Sequence, residues 1–297
     1  MGSLMTQLPI RCTSPVNYGH ISMKLISINN SAHMKIYTLF FFMVLTRVSN
    51  LYAQEERKDF KPFYDQYQVK GTFVLYDQKN DRYLYYNKEA SNKSYLPAST
   101  FKICNSLIAL ETAVLKDEYE ILKWDKEQRR VPEWNADTDM KQAFKNSTVW
   151  FYQDVAKKIG EERMKYWLHK LKYGNEDASG GINGFWLWGG LRITPMQQID
   201  FLRRLAGNAL PLSQRTMDIV KGIMISKDRD GFVTRGKTGA GKQDGAYLGW
   251  YVGYVTTKDN VFYFANFIQT ESRTDDFESS RIEITNRILE KLGVFNK

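Results

Sequence analysis

The sequence is poor in the residues on which many active sites are built: of its 297 residues, three are histidine and two are cysteine. His20, His33 and Cys12 all fall within the first 53 positions, so beyond them only His169 and Cys104 remain. A histidine-clustered metal site is thereby excluded, a Ser-His-Asp triad would depend on one residue, and no disulfide framework can hold the domain. His169 lies in a helical pattern whose polar face carries Lys165 and Lys172, which predicts a surface position and not a general base. Cys104 reads as a small core residue.

Acidic residues are missing from the front of the chain. Residues 1–53 contain Arg11, Lys24, Lys35 and Arg47 but no Asp or Glu. Met34-Lys35 precedes an apolar run over 36–45, and Leu51-Tyr52-Ala53 precedes the polar Gln54-Glu55-Glu56. This is the pattern of a cleaved signal peptide over 34–53, with translation starting at Met34 or Met23. The apolar run is about half of the roughly 20 residues that cross a bilayer. The expectation is a periplasmic or secreted protein, residues 54–297, with no stable membrane anchor after cleavage.

Runs of like charge are also absent. The formal charge of +9 falls to +5 once the four basic residues of the leader are removed, and the rest alternate with acids, as in Lys123-Trp124-Asp125-Lys126-Glu127. No basic stripe tracks a phosphate backbone, so nucleic acid is not an expected partner.

What is present has a clear order. Residues 72–77 and 82–86 alternate as a β-hairpin. Residues 99–114 switch to helical spacing, and further helices are predicted over 148–159 (ended by Gly160), 161–172 and 195–206 (opened by Thr194-Pro195). Strands return over 232–237, 247–257 and 261–269, and a last helix covers 279–292. Strands at both ends with helices between imply an α/β chain of the α+β type: one antiparallel sheet flanked by helices, with a helical subdomain inserted over about 98–228.

Chemistry concentrates where strand gives way to helix. In Ser99-Thr100-Phe101-Lys102, residues three apart share a helix face, which puts a hydroxyl beside an amine. The helix N-terminus also favours the negative charge that develops when a hydroxyl attacks a carbonyl. Lys237-Thr238-Gly239 ends a predicted strand, where Lys237 and Thr238 could hold a carboxylate and Gly239 lets a ligand lie close to the backbone. Each motif alone is common; a Ser can simply cap a helix, and a Lys can simply be solvated.

Together and in this order they resemble the signature of β-lactamases and penicillin-binding proteins. Ser147-Thr148-Val149, Tyr173-Gly174-Asn175, Phe185-Trp186-Leu187 and Trp250-Tyr251-Val252-Gly253 sharpen the resemblance to class D, the oxacillinase group, over nearly all of the chain from Gly71. The resemblance implies hydrolysis of β-lactams, penicillins first, and with it β-lactam resistance. Ser99 would be acylated, Lys102 would be the base and Ser147 a proton relay, while Val149 and Trp186 wall in the lysine. Ser99 and Ala240 would supply the oxyanion N–H groups, and Arg281, in preference to Arg273, would join Lys237 and Thr238 on the substrate carboxylate. A free lysine is neutral in roughly one molecule in 2,500 at pH 7. Burial among Phe101, Val149 and Trp186 would lower its pKa by about 3 to 5 units. The resemblance further implies that the neutral amine takes up carbon dioxide, from bicarbonate, as a carbamate; no bound metal or organic cofactor is implied. Two rivals share the motifs: a β-lactam sensor domain that is acylated without turnover, disfavoured by the short leader, and a DD-peptidase, disfavoured by Ser147-Thr148-Val149 where a Ser-x-Asn motif is usual. Trp124, Trp134, Trp150 and Tyr152 are read as core.

Overall fold

The computed structural model describes residues 53–229 and 231–295; the predicted signal peptide, but for Ala53, and Cys12 lie outside them. Seven strands form one sheet in the order β1-β3-β2-β7-β6-β5-β4. They are β1 (Ala53–Glu56), β2 (Lys70–Asp77), β3 (Arg82–Tyr86), β4 (Ile225–Arg229), β5 (Phe232–Gln243), β6 (Ala246–Thr256) and β7 (Val261–Thr270). All pairings are antiparallel except β1 with β3, which is parallel. The chain thus returns to its own first hairpin: β2 pairs along its length with β7, Lys70 opposite Gln269.

Eight α-helices lie among the described residues: α1 (Lys61–Asp65), α2 (Lys102–Glu111), α3 (Met140–Lys145), α4 (Val149–Ile159), α5 (Glu161–Leu171), α6 (Pro195–Ala206), α7 (Gln214–Ile223) and α8 (Phe277–Lys291). None is long and apolar enough to cross a membrane. The local signals for α6 are complete: Thr194 accepts from the Gln197 amide, Gln197 returns the bond to the Thr194 amide, and Pro195 sits where its missing N–H costs nothing. At the end of α4, Gly160 takes φ +82°, a conformation glycine adopts without strain.

The sheet has a core on each face. On one, Phe73, Phe264 and Ile268 pack against Phe60 from the N-terminal turn and Ile284 and Ile288 from α8. On the other, Phe101, Leu107, Trp186 and Trp250 join the inserted helices to the sheet. Helix α2 is the hub of that second core: Lys102 through Leu110 are all buried, which marks a helix enclosed on every side. A lysine at the head of such a helix has no water to solvate it.

Three sequence expectations shift. The strand carrying Lys237-Thr238-Gly239 does not end there but runs to Gln243, because β5 and β6 stay paired down to Gln243 opposite Ala246; the glycines are accommodated within the strand and do not stop it. Strand β4 starts at Ile225, inside the stretch read as helical, and α7 was not singled out. Lastly, β1 runs parallel in an otherwise antiparallel sheet.

Candidate active site

Ser99 sits in a 3-10 turn, Ala98–Phe101, that feeds directly into α2. The turn is held from three sides. Thr100 donates to the Pro97 carbonyl at 2.7 Å and receives the Gln198 amide of α6 at 2.9 Å. Trp250 of β6 donates from its indole to the Leu96 carbonyl at 2.9 Å. The Ala98 amide donates to the Trp186 carbonyl at 3.1 Å. These ties hold Ala98 at φ +49°, a left-handed conformation that costs an alanine about 1–2 kcal/mol. Ser147 is held likewise at φ +54°.

Lys102 Nζ lies 2.6 Å from Ser99 Oγ. The amine is fully buried, and no carboxylate pairs with it among the described residues. Its other neighbours are the Tyr152 ring, 5.4 Å away, and the charge of Lys237. Burial first, and the Lys237 charge second, push its pKa well below the ordinary lysine value. Both effects favour the neutral amine, which touches the hydroxyl it would activate.

Strand β5 closes the site opposite α2. A side chain at Gly239 would come within 3.0 Å of the Pro97 carbonyl and 3.3 Å of the Ser99 nitrogen, so only glycine lets β5 approach the nucleophile this closely. Ala240, expected from sequence to share the oxyanion with Ser99, follows Gly239 on the same strand. Lys237, 5% exposed, donates to the Thr238 carbonyl at 3.0 Å and stands 5.6 Å over the Phe144 ring. Burial, helped by the nearby Arg281, pushes its pKa down to about 7. Arg281, in the second turn of α8, donates to the Gly239 carbonyl at 2.8 Å, and its Nε is buried without a partner. Lys237 and Arg281, close enough for one to bias the other, with one unsatisfied guanidinium N–H, offer positive charge to an anion.

The residues named from sequence therefore converge, with differences in detail. Phe101 and Trp186 pack with their rings tilted by 34° at 5.3 Å between centres, and the Trp186 indole N–H is buried without a partner. Ser147 is half-buried at the corner between α3 and α4, its amide bonded to Phe144, and its hydroxyl makes no direct hydrogen bond to Ser99 or Lys102. Val149 opens α4 half-buried; the ring that α4 lays against the lysine is that of Tyr152, which the sequence reading assigned to plain core. Tyr152 is fully buried, accepts from Asn105 through its carbonyl and shares a 3.0 Å hydrogen bond with Ser106, so α2 and α4 are locked together behind the lysine. Its spacing, three after Val149 on one helix face, was the available signal. His169 is a surface residue paired with Glu176, and Cys104 is buried. Arg273 is exposed and bonded to Glu278, so Arg281 is the arginine on β5. No cluster of metal-binding side chains occurs among the described residues.

Comparison with known proteins agrees with this geometry. Residues 53–290 match the penicillin-binding protein transpeptidase domain family. Beta-lactamase OXA-48 of Klebsiella pneumoniae is 40% identical over 237 residues, covering 80% of this chain and 89% of that one. The solved class D beta-lactamase YbXI from Nostoc is 46% identical, with a TM-score of 0.76 over 79% of this chain and 98% of that one. The chain belongs to the class D β-lactamase family. The family's fold is also that of the C-terminal domain of the Bacillus licheniformis BlaR penicillin receptor, which is 35% identical with a TM-score of 0.78 over 82% of this chain and 98% of that domain.

Proposed function

We propose that this class D family member hydrolyses β-lactams, penicillins foremost, through an acyl-enzyme on Ser99, and so confers resistance on cells that export it. The observation that carries the reading is the 2.6 Å contact between Ser99 and a buried lysine with no acidic partner. Lys237, Thr238 and Arg281 receive the carboxylate that every penicillin carries. The amides of Ser99 and Ala240 receive the oxyanion when Ser99 Oγ attacks the lactam carbonyl. Lys102 holds the proton lost from Ser99, and Ser147 passes a proton to the lactam nitrogen as the ring C–N bond breaks. A water then attacks the ester to release the product and restore Ser99.

Carbon dioxide would add to the neutral Lys102 amine with loss of one proton, and the carbamate so formed would supply an anionic hydrogen-bond acceptor that stays deprotonated at ordinary pH, where an ammonium could not act as a base. The pocket fits that group on two counts: the lysine's pKa is depressed, and the Trp186 indole N–H has no acceptor. A buried donor left unpaired is costly, and a carbamate oxygen would satisfy it. Export by the leader, with a periplasmic or secreted product, belongs to the same proposal.

The similarity to a penicillin receptor domain supports a second reading, acylation without release. Mixing the purified chain with a chromogenic cephalosporin, with and without bicarbonate, separates the two. Many turnovers per molecule, increased by bicarbonate, are expected; a single stoichiometric burst would establish the receptor.

A further inference from the structure

Strand alternation divides β5 between two environments. Side chains added at Gly239 and Gly241 would meet the Pro97–Ser99 turn, so Ala240 and Lys242 stand on the opposite face. There, β5, β6 and the segment leading into α8 enclose a groove of about 390 Å³, lined by Ala240, Lys242, Tyr247, Arg273, Phe277 and Glu278. The groove begins at the residue expected to bind the oxyanion.

Its chemistry is cationic and aromatic. Lys242 Nζ lies 5.1 Å and the Arg273 guanidinium 5.9 Å from the centre of the Tyr247 ring. Arg273 is bonded to Glu278, whose second carboxylate oxygen faces Arg281 at 3.4 Å. That one carboxylate is shared between two arginines, while Lys242 has no acidic partner among the described residues. The groove therefore carries surplus positive charge around the half-buried Tyr247 ring.

We propose that this groove is a side-chain subsite that selects β-lactams whose acylamino substituent carries an aryl group together with a carboxylate, the aryl on Tyr247 and the carboxylate between Lys242 and Arg273. The proposal rests on the reading of Ser99 as the acylated residue. An acyl group on Ser99 that follows the edge of β5 past Ala240 delivers its substituent there, while Arg281 and Lys237 remain engaged with the ring carboxylate.

Benzylpenicillin and its α-carboxy derivative differ by one side-chain carboxylate, so the ratio of their kcat/KM values isolates the subsite; for a chain that acylates without release, the acylation rate constants give the same ratio. In Lys242→Ala/Arg273→Ala the ratio of carboxy to parent compound is expected to fall by about three- to tenfold, the scale of two exposed ion pairs. It should fall further in Lys242→Glu, which leaves Arg273 and Glu278 intact. In the unmodified chain it should fall between 50 mM and 1 M salt, as screening requires. A ratio unchanged in both variants overturns the subsite while leaving acylation standing. A chain acylated by neither compound overturns the reading of Ser99 and the subsite with it.

Discussion

Replacing Trp186 with phenylalanine tests the carbamate, because the substitution removes the indole N–H, and comparison with and without bicarbonate cancels the cost of the smaller ring. Trp186 is 1% exposed and its ring packs against Phe101 and Phe185 at 5.3 and 5.1 Å between centres. Phenylalanine keeps part of that packing but leaves a cavity, and the Trp186 carbonyl that holds the Ala98 amide is unaffected. With the amine unmodified, the indole N–H is a buried donor without a partner, which costs about 1–3 kcal/mol. Without bicarbonate, the relief of that donor should therefore offset part of the cavity cost in Trp186→Phe. With bicarbonate a further loss is added, since a hydrogen bond to a charged acceptor contributes about 1.5–3 kcal/mol. Its loss raises the bicarbonate concentration for half-maximal activity about ten- to a hundredfold. Rate against bicarbonate in degassed buffer reads this shift, and a carbon-13 carbamate resonance from labelled bicarbonate reads the occupancy. An unchanged half-saturation in Trp186→Phe, or a parent enzyme indifferent to bicarbonate, would refute the reasoning.

Lys237 and Lys102 should pull the pH profile in opposite directions. Because the pKa of Lys237 is pushed down to about 7, it loses its charge as pH rises past that value, and KM for penicillins should climb in alkali while kcat, which needs neutral Lys102, falls in acid. The same depression means the unfolded chain holds more protons than the folded one between about 7 and the ordinary lysine value of about 10.4, so this group makes stability rise with pH over that window; Lys237→Met should flatten that part of a denaturation-versus-pH curve. Asn266 of β7 donates to the Arg281 carbonyl and to Thr285 and accepts from Tyr64, all in the core. Asn266→Ala should cost about 1–3 kcal/mol for each buried group it leaves unpaired; because it also frees the turn of α8 that bears Arg281, KM should rise more than kcat falls, and a change in stability with KM untouched would show that Arg281 is placed by other contacts.

What could be read from the sequence follows the range of the interactions. The meeting of Ser99 and Lys102 is local, set by three residues of helical spacing, and the structure realises it at 2.6 Å. The hairpin over β2 and β3, the capped start of α6 and the glycine stop of α4 are local as well, and they stand where the sequence placed them. β4 escaped because Ile225-Ser226-Lys227-Asp228-Arg229 is a polar segment beside the edge-facing side of β5, with no alternation to betray it. Helix α7 carried usable signals in Ser213, whose side chain caps the Thr216 amide, and in Met217, Val220 and Ile223 at helical spacing; the sequence reading placed it in the helical stretch without singling it out.

The properties that make the pair reactive are of another kind. The pKa of Lys102 is lowered because α2 is enclosed on every side and because Lys237, 135 positions later, adds its charge. Lys237 is in turn biased by Arg281 from α8, and Arg281 is fixed on the Gly239 carbonyl of β5. Each link joins segments that no spacing rule connects, through a sheet whose first hairpin is completed by one of its last strands. A motif can therefore name the lysine and the serine, but only the packing can say that the lysine lacks a carboxylate partner among the described residues, that the Tyr152 ring lies 5.4 Å from it, and that the indole N–H of Trp186, packed on Phe101, has no acceptor. On the proposed reading those three facts, more than the motif, let the lysine take up carbon dioxide and act on Ser99.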